Sequence, residues 1–207
     1  MKMDKTALFS LSYGVFLLSS KDAGRNNACI TNTAMQVASN PERIAISCIN
    51  SNLTCEMIKN SGFFNLSILD STCTYDLIER FGMHSGRDLD KFEGFNLPAD
   101  KNGAYYLDKY TCAVLVCRVT ESKDLGSHTL FIAEIEDAFK VSSEPPLTYA
   151  DYHAKVKPKP QKPAEDKKII GWKCKICGYY YEGAELPADF VCPWCSHPAD
   201  DFEPVYE

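Results

Sequence analysis

Four cysteines near the end of the chain are spaced for metal chemistry. Cys174 and Cys177 form one Cys-x-x-Cys pair, and Cys192 and Cys195 form a second. Each pair bends into a tight knuckle, and two facing knuckles place four sulfurs at the corners of a tetrahedron. Thiolates are soft ligands, suited to iron or zinc and poorly suited to magnesium or calcium. Gly178 follows the first pair, and Pro193 lies inside the second, where it stiffens the turn and removes a competing amide donor. Backbone amides in such knuckles can point at the sulfurs and tune the metal. Two disulfides or a structural zinc ribbon are the plainer readings. Paired Cys-x-x-Cys at this separation favours a metal, and the ligand set alone leaves iron and zinc both open.

Ready-made catalytic patterns are scarce elsewhere. No Gly-x-Gly-x-x-Gly follows a strand-like run and no Walker-type loop occurs, which argues against a Rossmann domain. No Ser-His-Asp or Cys-His layout stands out. Cys29, Cys48, Cys55, Cys73, Cys112 and Cys117 are scattered, several in apolar runs, without framework spacing. They read as reduced, mostly buried thiols of a cytosolic protein. His84, His153 and His197 have no forced metal role, since four thiolates already complete a tetrahedron. A net charge of −6 gives no sign of nucleic acid. The apolar run near the start is interrupted by Ser10, Ser12, Tyr13 and Gly14, and lacks a convincing cleavage site. No stretch reaches the roughly 18 apolar residues of a membrane span. A soluble, cytoplasmic protein with no membrane partner is expected.

The 207 residues suffice for one ordinary domain and a small one. The composition, 45% apolar and 24% charged, is that of a globular chain. Asp4 to Leu11 reads as a short helical turn, Tyr13 to Ser19 as β-rich, and Lys21 to Gly24 as a hairpin turn. Strands are expected over 29–37, 43–49, 63–69, 104–107, 112–120 and 128–135, with a break at Asn40-Pro41 and a turn over 123–127. Thr54 is a plausible N-cap for a helix over 55–61, and 75–81 reads as a second helix. Residues 84–94 read as a polar loop. Many short strands with few helices predict a mainly β fold, a barrel dressed with helices. Pro145-Pro146 ends it, and 148–154 reads as a short helix.

Three segments follow: a first domain over 1–147, a short helix and Pro/Lys linker over 148–168, and a metal domain over 169–207. Prolines at 158, 160 and 163 disfavour both helix and strand in the linker. Extended over 155–168 it reaches roughly 40 Å. Its net charge is positive between two acidic domains. The last segment is too small to rely on an apolar core alone, so its metal is expected to support folding.

The segment from about Ile169 to Glu207 resembles rubredoxin. The resemblance rests on Cys-x-x-Cys-Gly-Tyr at 174–179, Leu-Pro-Ala-Asp-Phe-Val at 186–191, the Cys-Pro-x-Cys knuckle, and Asp-Phe-Glu-Pro-Val at 201–205. It implies a mononuclear iron shuttling one electron between ferric and ferrous states. The loop between the knuckles is shorter than in most free-standing rubredoxins and closer to the rubredoxin-like domain of rubrerythrins. Ser196 stands where glycine is usual.

Leu8 to Tyr152 resembles the flavin reductase-like, FMN-binding split β-barrel family, through stretches at 11–20, 26–69, 77–94, 127–138 and 146–153 in that order. The whole chain is similar to the high-molecular-weight rubredoxins. That resemblance implies an NAD(P)H-oxidising flavoprotein of an anaerobe, usually a homodimer with FMN at the subunit interface, serving partners such as flavodiiron proteins. Ala28, Thr31, Asn32, Thr33 and Ala34 would then face the isoalloxazine. Asn50, Ser51, Asn52 and Thr54, before a helix N-terminus, suit a phosphate, as do Ser85, Gly86 and Arg87. An ordinary polar strand face, an N-capped loop and a solvated loop are the plain readings of these three groups. His128 aligns with a family histidine near the flavin and nicotinamide, although Ser127 replaces the usual aspartate and Ala133 a common glycine. NADH and NADPH are equally compatible. A flavoredoxin-like carrier reduced by another protein, or a structural zinc module, are the alternatives.

Overall fold

Alternating and continuously apolar runs become seven strands: β1 (Phe16–Asp22), β2 (Arg25–Thr31), β3 (Ala34–Ser39), β4 (Glu42–Ile49), β5 (Phe63–Leu69), β6 (Thr111–Asp124) and β7 (His128–Lys140). A computed structural model describes residues 4–158 and 169–206. They fall into two units, one within Ser12–Lys157, the other drawn from Met1–Leu11 and Pro158–Glu207. The seven strands form one antiparallel sheet in the order β2-β1-β5-β6-β7-β4-β3.

That order forces the sheet to curl. β2 and β3 stand at opposite ends, yet only Asn32 and Thr33 separate them in the chain. The edges therefore meet at this turn, and among the described residues no strand ladder joins β2 to β3. The Thr31 hydroxyl donates to the Ser47 carbonyl at 3.2 Å, and the Ser47 amide to the Thr33 carbonyl at 3.2 Å. The result is a split barrel. Bulges at Val116/Cys117 and Val119/Glu121 add local bend along the long β6–β7 hairpin.

β1 is buried on both faces, which explains the unbroken apolar run Val15–Leu18. Phe16 and Leu18 join Ile46, Phe64 and Phe131 in one cluster. Val15 and Leu17 join Leu77, Ile78 and Phe81 in a second. Each such fully buried side chain contributes roughly 1.5–3 kcal/mol before chain entropy is counted. Helix α1 (Leu53–Ser61) sends Cys55 and Ile58 into the first cluster; helix α2 (Tyr75–Gly82) supplies the second.

The structure corrects several expectations. The single strand over 29–37 is two strands, because the chain reverses at Asn32-Thr33 to cross the seam. Thr54 is not the N-cap of α1. Asn52 is, its side-chain oxygen accepting from the Thr54 amide at 3.1 Å, while Thr54 itself is buried in the first turn. Residues 104–107 are not a strand. Their backbone is held by side chains: Asn65 donates to the Ala104 carbonyl, Ser19 to the Tyr105 carbonyl, Ser67 accepts from the Leu107 amide, and Asn26 accepts from the Tyr105 amide. The loop over 84–94 is polar but not wholly solvated, since Lys91 and Phe92 are buried. Strands β6 and β7 outrun their expected ends, so the turn over 123–127 begins only after Asp124.

After β7 the chain returns to the barrel. The Leu147 amide donates to Leu69, the Tyr149 amide to Tyr13, and Tyr152 is buried in the second cluster. The helix expected over 148–154 is a short helical turn, Tyr149–Asp151, running into a π turn, Tyr152–Val156. Linker residues 159–168 lie outside the described residues. In the other unit a 3-10 helix, Lys5–Ser10, occupies the expected N-terminal turn. Strands β8 (Ile169–Cys174), β9 (Tyr180–Glu182) and β10 (Phe202–Tyr206) form an antiparallel sheet in the order β10-β8-β9. Phe190 packs between Tyr181 and Phe202, with ring centroids 4.8 and 5.4 Å away. Among the described residues no helix is long and apolar enough to cross a membrane.

Candidate functional site

The four cysteines converge as their spacing predicts. Cys174 ends β8, and the knuckle closes as the Gly178 amide donates to the Cys174 carbonyl at 2.9 Å. The second knuckle repeats this, with the Ser196 amide on the Cys192 carbonyl at 2.9 Å. Gly178 and Ser196 hold equivalent left-handed positions, with φ of 78° and 59°. The serine therefore keeps the hydrogen bond at a conformation that disfavours a side chain.

Sulfur separations test the fit to a metal. Cys174 and Cys195 lie 3.6 Å apart, Cys177 and Cys192 3.4 Å, and all four sulfurs fall within 4.8 Å of one another. A metal–sulfur bond of about 2.3 Å puts the sulfurs of a regular tetrahedron about 3.8 Å apart. The donor set fits one tetrahedral ion. Their closeness splits the thiols' acidities: the Cys195 thiol, donating to Cys174, holds Cys174 down to about 5 and is itself pushed far up, while burial raises Cys177 to about 12. Amides of Ile176 and Cys177 reach the Cys174 sulfur, that of Tyr179 reaches Cys177, and that of His197 reaches Cys195. Cys174 and Cys192 are buried, and Cys177 and Cys195 face outward in part. Beside them Trp194 is 59% exposed, its ring 5.4 Å from that of Tyr179.

In the barrel, three of the sequence-predicted segments come together. Asn27, one residue before Ala28 on β2, donates to the Thr54 hydroxyl on α1 at 2.9 Å. Gly86 lies against Asn27 so closely that a Cβ would fall 2.1 Å from the Asn27 oxygen. The Arg25 guanidinium donates to the Gly86 carbonyl. Arg87 reaches back to Glu56 of α1 at 2.7 Å, both side chains about half exposed. Strand β2, the start of α1 and the 85–87 loop thus form one polar cradle, with Ser51, Ser85 and Arg87 exposed at it.

Lys91 fixes the far end of that loop. Its buried ammonium donates to the Ala28 carbonyl at 2.9 Å and to the Phe81 carbonyl in the last turn of α2 at 2.8 Å. The negative end of the helix favours a cation there, while burial lowers the Lys91 pKa. Arg80 gathers the carbonyls of Asp90, Lys91 and Glu93.

The other predicted residues sit apart from the cradle. Thr31, Asn32, Thr33 and Ala34 make the turn across the seam, with the Thr33 hydroxyl on the Asn32 oxygen at 3.0 Å. Asn50 is engaged with the β6–β7 turn: its amide donates to Asp124 and the Gly126 carbonyl, and its oxygen accepts from Thr129. His128 pairs with Ile49 across β4 and β7, its Nδ1 2.8 Å from the Ser127 hydroxyl. Arg25, Asn27, Glu56 and Lys91 escaped sequence reasoning. A signal existed for Asn27 alone, an amide in a strand otherwise turning apolar.

Both parts of the chain resemble known proteins. A model of the flavin reductase like domain matches residues 8–157, and one of the rubrerythrin, rubredoxin-like domain matches residues 172–203. High molecular weight rubredoxin of Moorella thermoacetica is 33% identical, with 98% of this chain and 100% of that protein covered. Ferric-chelate reductase (NAD(P)H) of Archaeoglobus fulgidus is 35% identical over 73% of this chain and 89% of its own. Among solved structures, flavin reductase HpaC complexed with NADP+ superposes with a TM-score of 0.61 at 18% identity, over 70% of this chain and 90% of that one.

Proposed function

The chain belongs to the flavin reductase-like family and carries a rubredoxin-like domain at its end, and from that premise we propose that it oxidises NAD(P)H and delivers the electrons singly to a partner protein. The observation that carries the reading is the four-sulfur centre on the same chain as the flavin reductase-like barrel. FMN held by the barrel would supply the conversion of a hydride's electron pair into single electrons plus a proton, and iron held by Cys174, Cys177, Cys192 and Cys195 would supply one-electron transfer.

The chain's own residues divide the work. Four thiolates fill a tetrahedron and leave no open position, so hydride has no entry at the metal. At the cradle's exposed side Ser51, Ser85 and Arg87, with the start of α1 at Asn52, offer hydroxyls, a helix N-terminus and a guanidinium to the FMN phosphate, while buried Asn27, Thr54 and Gly86 hold its shape. The seam residues Thr31–Ala34 present small polar groups to the flavin ring, and His128 stands on the nicotinamide side; Ala28 is not among the flavin contacts, since it is fully buried in the core with its carbonyl held by Lys91. Strand β3 is an edge strand with Met35 64% and Val37 47% exposed, which supports a homodimer. The acceptor is a redox protein of flavodiiron type, in the cytoplasm of an anaerobe. We assign the flavin domain to 1–147, the tether to 148–168 and the metal domain to 169–207, with Tyr152 seated on the barrel as the tether's root.

Deleting residues 169–207 tests the scheme. Flavin reduction by the nicotinamide is expected to survive and reduction of the protein partner to collapse. A truncated barrel that still reduces the partner at the full rate overturns it.

A further inference from the structure

Cys29 on β2 and Cys48 on β4 face each other across the open seam of the barrel. Their sulfurs are 4.0 Å apart, and both side chains are buried. β2 and β4 are not neighbours in the sheet order, so among the described residues no strand ladder ties them together at this contact. A third thiol adjoins them, with the Cys55 sulfur 3.9 Å from the Cys48 carbonyl. The Lys91 ammonium is anchored one residue away, on the Ala28 carbonyl.

We propose that Cys29 and Cys48 are a modification site, oxidised by a hydroperoxide to a disulfide that staples the seam. The distance suits it. A disulfide is about 2.05 Å long, so side-chain rotation must close about 2 Å between the two sulfurs. Roles follow from the surroundings. Cys29 is held below the ordinary thiol range, first by the Cys48 thiol donating to it and also by the nearby Lys91 ammonium. Cys48 is held well above that range, chiefly by the same hydrogen bond. Isolated buried thiols behave otherwise: burial raises both Cys73 and Cys117 to about 12.

The Cys29 thiolate attacks one peroxide oxygen; an S–O bond forms, the O–O bond breaks, and the leaving hydroxide takes a proton to become water. Cys48 then attacks that sulfur; the S–S bond forms, the S–O bond breaks, and the released hydroxide leaves as a second water with the Cys48 proton. Two thiols and one hydrogen peroxide give one disulfide and two waters. The bond would pin β2 to β4 directly below the Asn32-Thr33 turn. Its formation does not rest on the flavin assignment.

The test uses the full-length protein, purified reduced and treated with hydrogen peroxide until the half-exposed Cys112 is oxidised. Free thiols are then blocked with N-ethylmaleimide in denaturant and the chain is cut with trypsin. The expected product is a cross-link between residues 26–43 and 44–59, reversed by dithiothreitol. It persists in Cys55→Ser and disappears in Cys48→Ser. The oxidised wild-type protein also melts higher than the reduced protein. Recovery of both peptides fully alkylated, or a link between Cys48 and Cys55 instead, overturns the proposal, and neither result depends on a variant folding.

Discussion

Gly86→Ala isolates the packing that joins the 85–87 loop to β2. The added Cβ would stand 2.1, 2.6 and 2.9 Å from Oδ1, Cγ and Nδ2 of Asn27, and from no other atom so closely. Asn27 is 1% exposed and spends its amide on Thr54 at 2.9 Å. The loop is tied from its other side by Arg25 on the Gly86 carbonyl. Relief therefore requires Asn27 to leave Thr54. Losing that buried hydrogen bond costs about 1–3 kcal/mol, and crowding a packed site costs about 1–3 kcal/mol more. The single variant should be less stable by about 2–6 kcal/mol in urea denaturation. Asn27→Ala removes all three clashing atoms. In that background Gly86→Ala should cost less than about 1 kcal/mol, a coupling far outside the roughly 0.3–0.5 kcal/mol of independent sites. FMN affinity should fall in the single Gly86 variant and recover in part in the double. Additive stabilities in the four-protein cycle would refute the reasoning.

Ser196→Gly relieves a left-handed residue at the second knuckle and should stabilise the metal domain by about 1 kcal/mol, read from its thermal midpoint in the iron-loaded protein. Cys192→Ser should remove the ferric absorption while FMN stays bound; a variant that keeps the red colour contradicts the ligand assignment. Arg87→Ala should cost under about 1 kcal/mol of stability, since its pair with Glu56 is half exposed, yet weaken FMN by about 1–3 kcal/mol; an unchanged titration removes Arg87 from the phosphate site. Burial raises Cys117 from 9.0 to about 12, so the fold keeps the thiol while the unfolded chain ionises. That contribution is complete below pH 9 and is lost as pH rises through the window from about 9 to 12. Cys117→Ala should flatten the fall of the urea midpoint across it.

The metal site was legible because its determinants are local: four cysteines within 22 residues, each pair closing its own knuckle. Strands β4 and β5 were legible from their apolar runs. The cradle was legible only in part: Thr54 and Gly86 were singled out through the family resemblance, but their meeting with Asn27 was not, because no spacing in the chain records how the fold brings them together. Residues 104–107 misled for a related reason. Their pattern suits a strand, but Ser19, Asn65 and Ser67 offer side-chain partners that take the place of a ladder. Asn32-Thr33 hid inside an apolar alternation, and only the strand order reveals it as the turn that crosses the seam.

The central claim concerns the order of electron flow. Anaerobic stopped-flow mixing of the full-length protein with NADH or NADPH, with flavin and ferric bands followed separately, measures it. Flavin bleaching should precede iron bleaching, and protein stripped of FMN should show no iron reduction on the same timescale. Iron that bleaches at an unchanged rate without FMN would contradict the account.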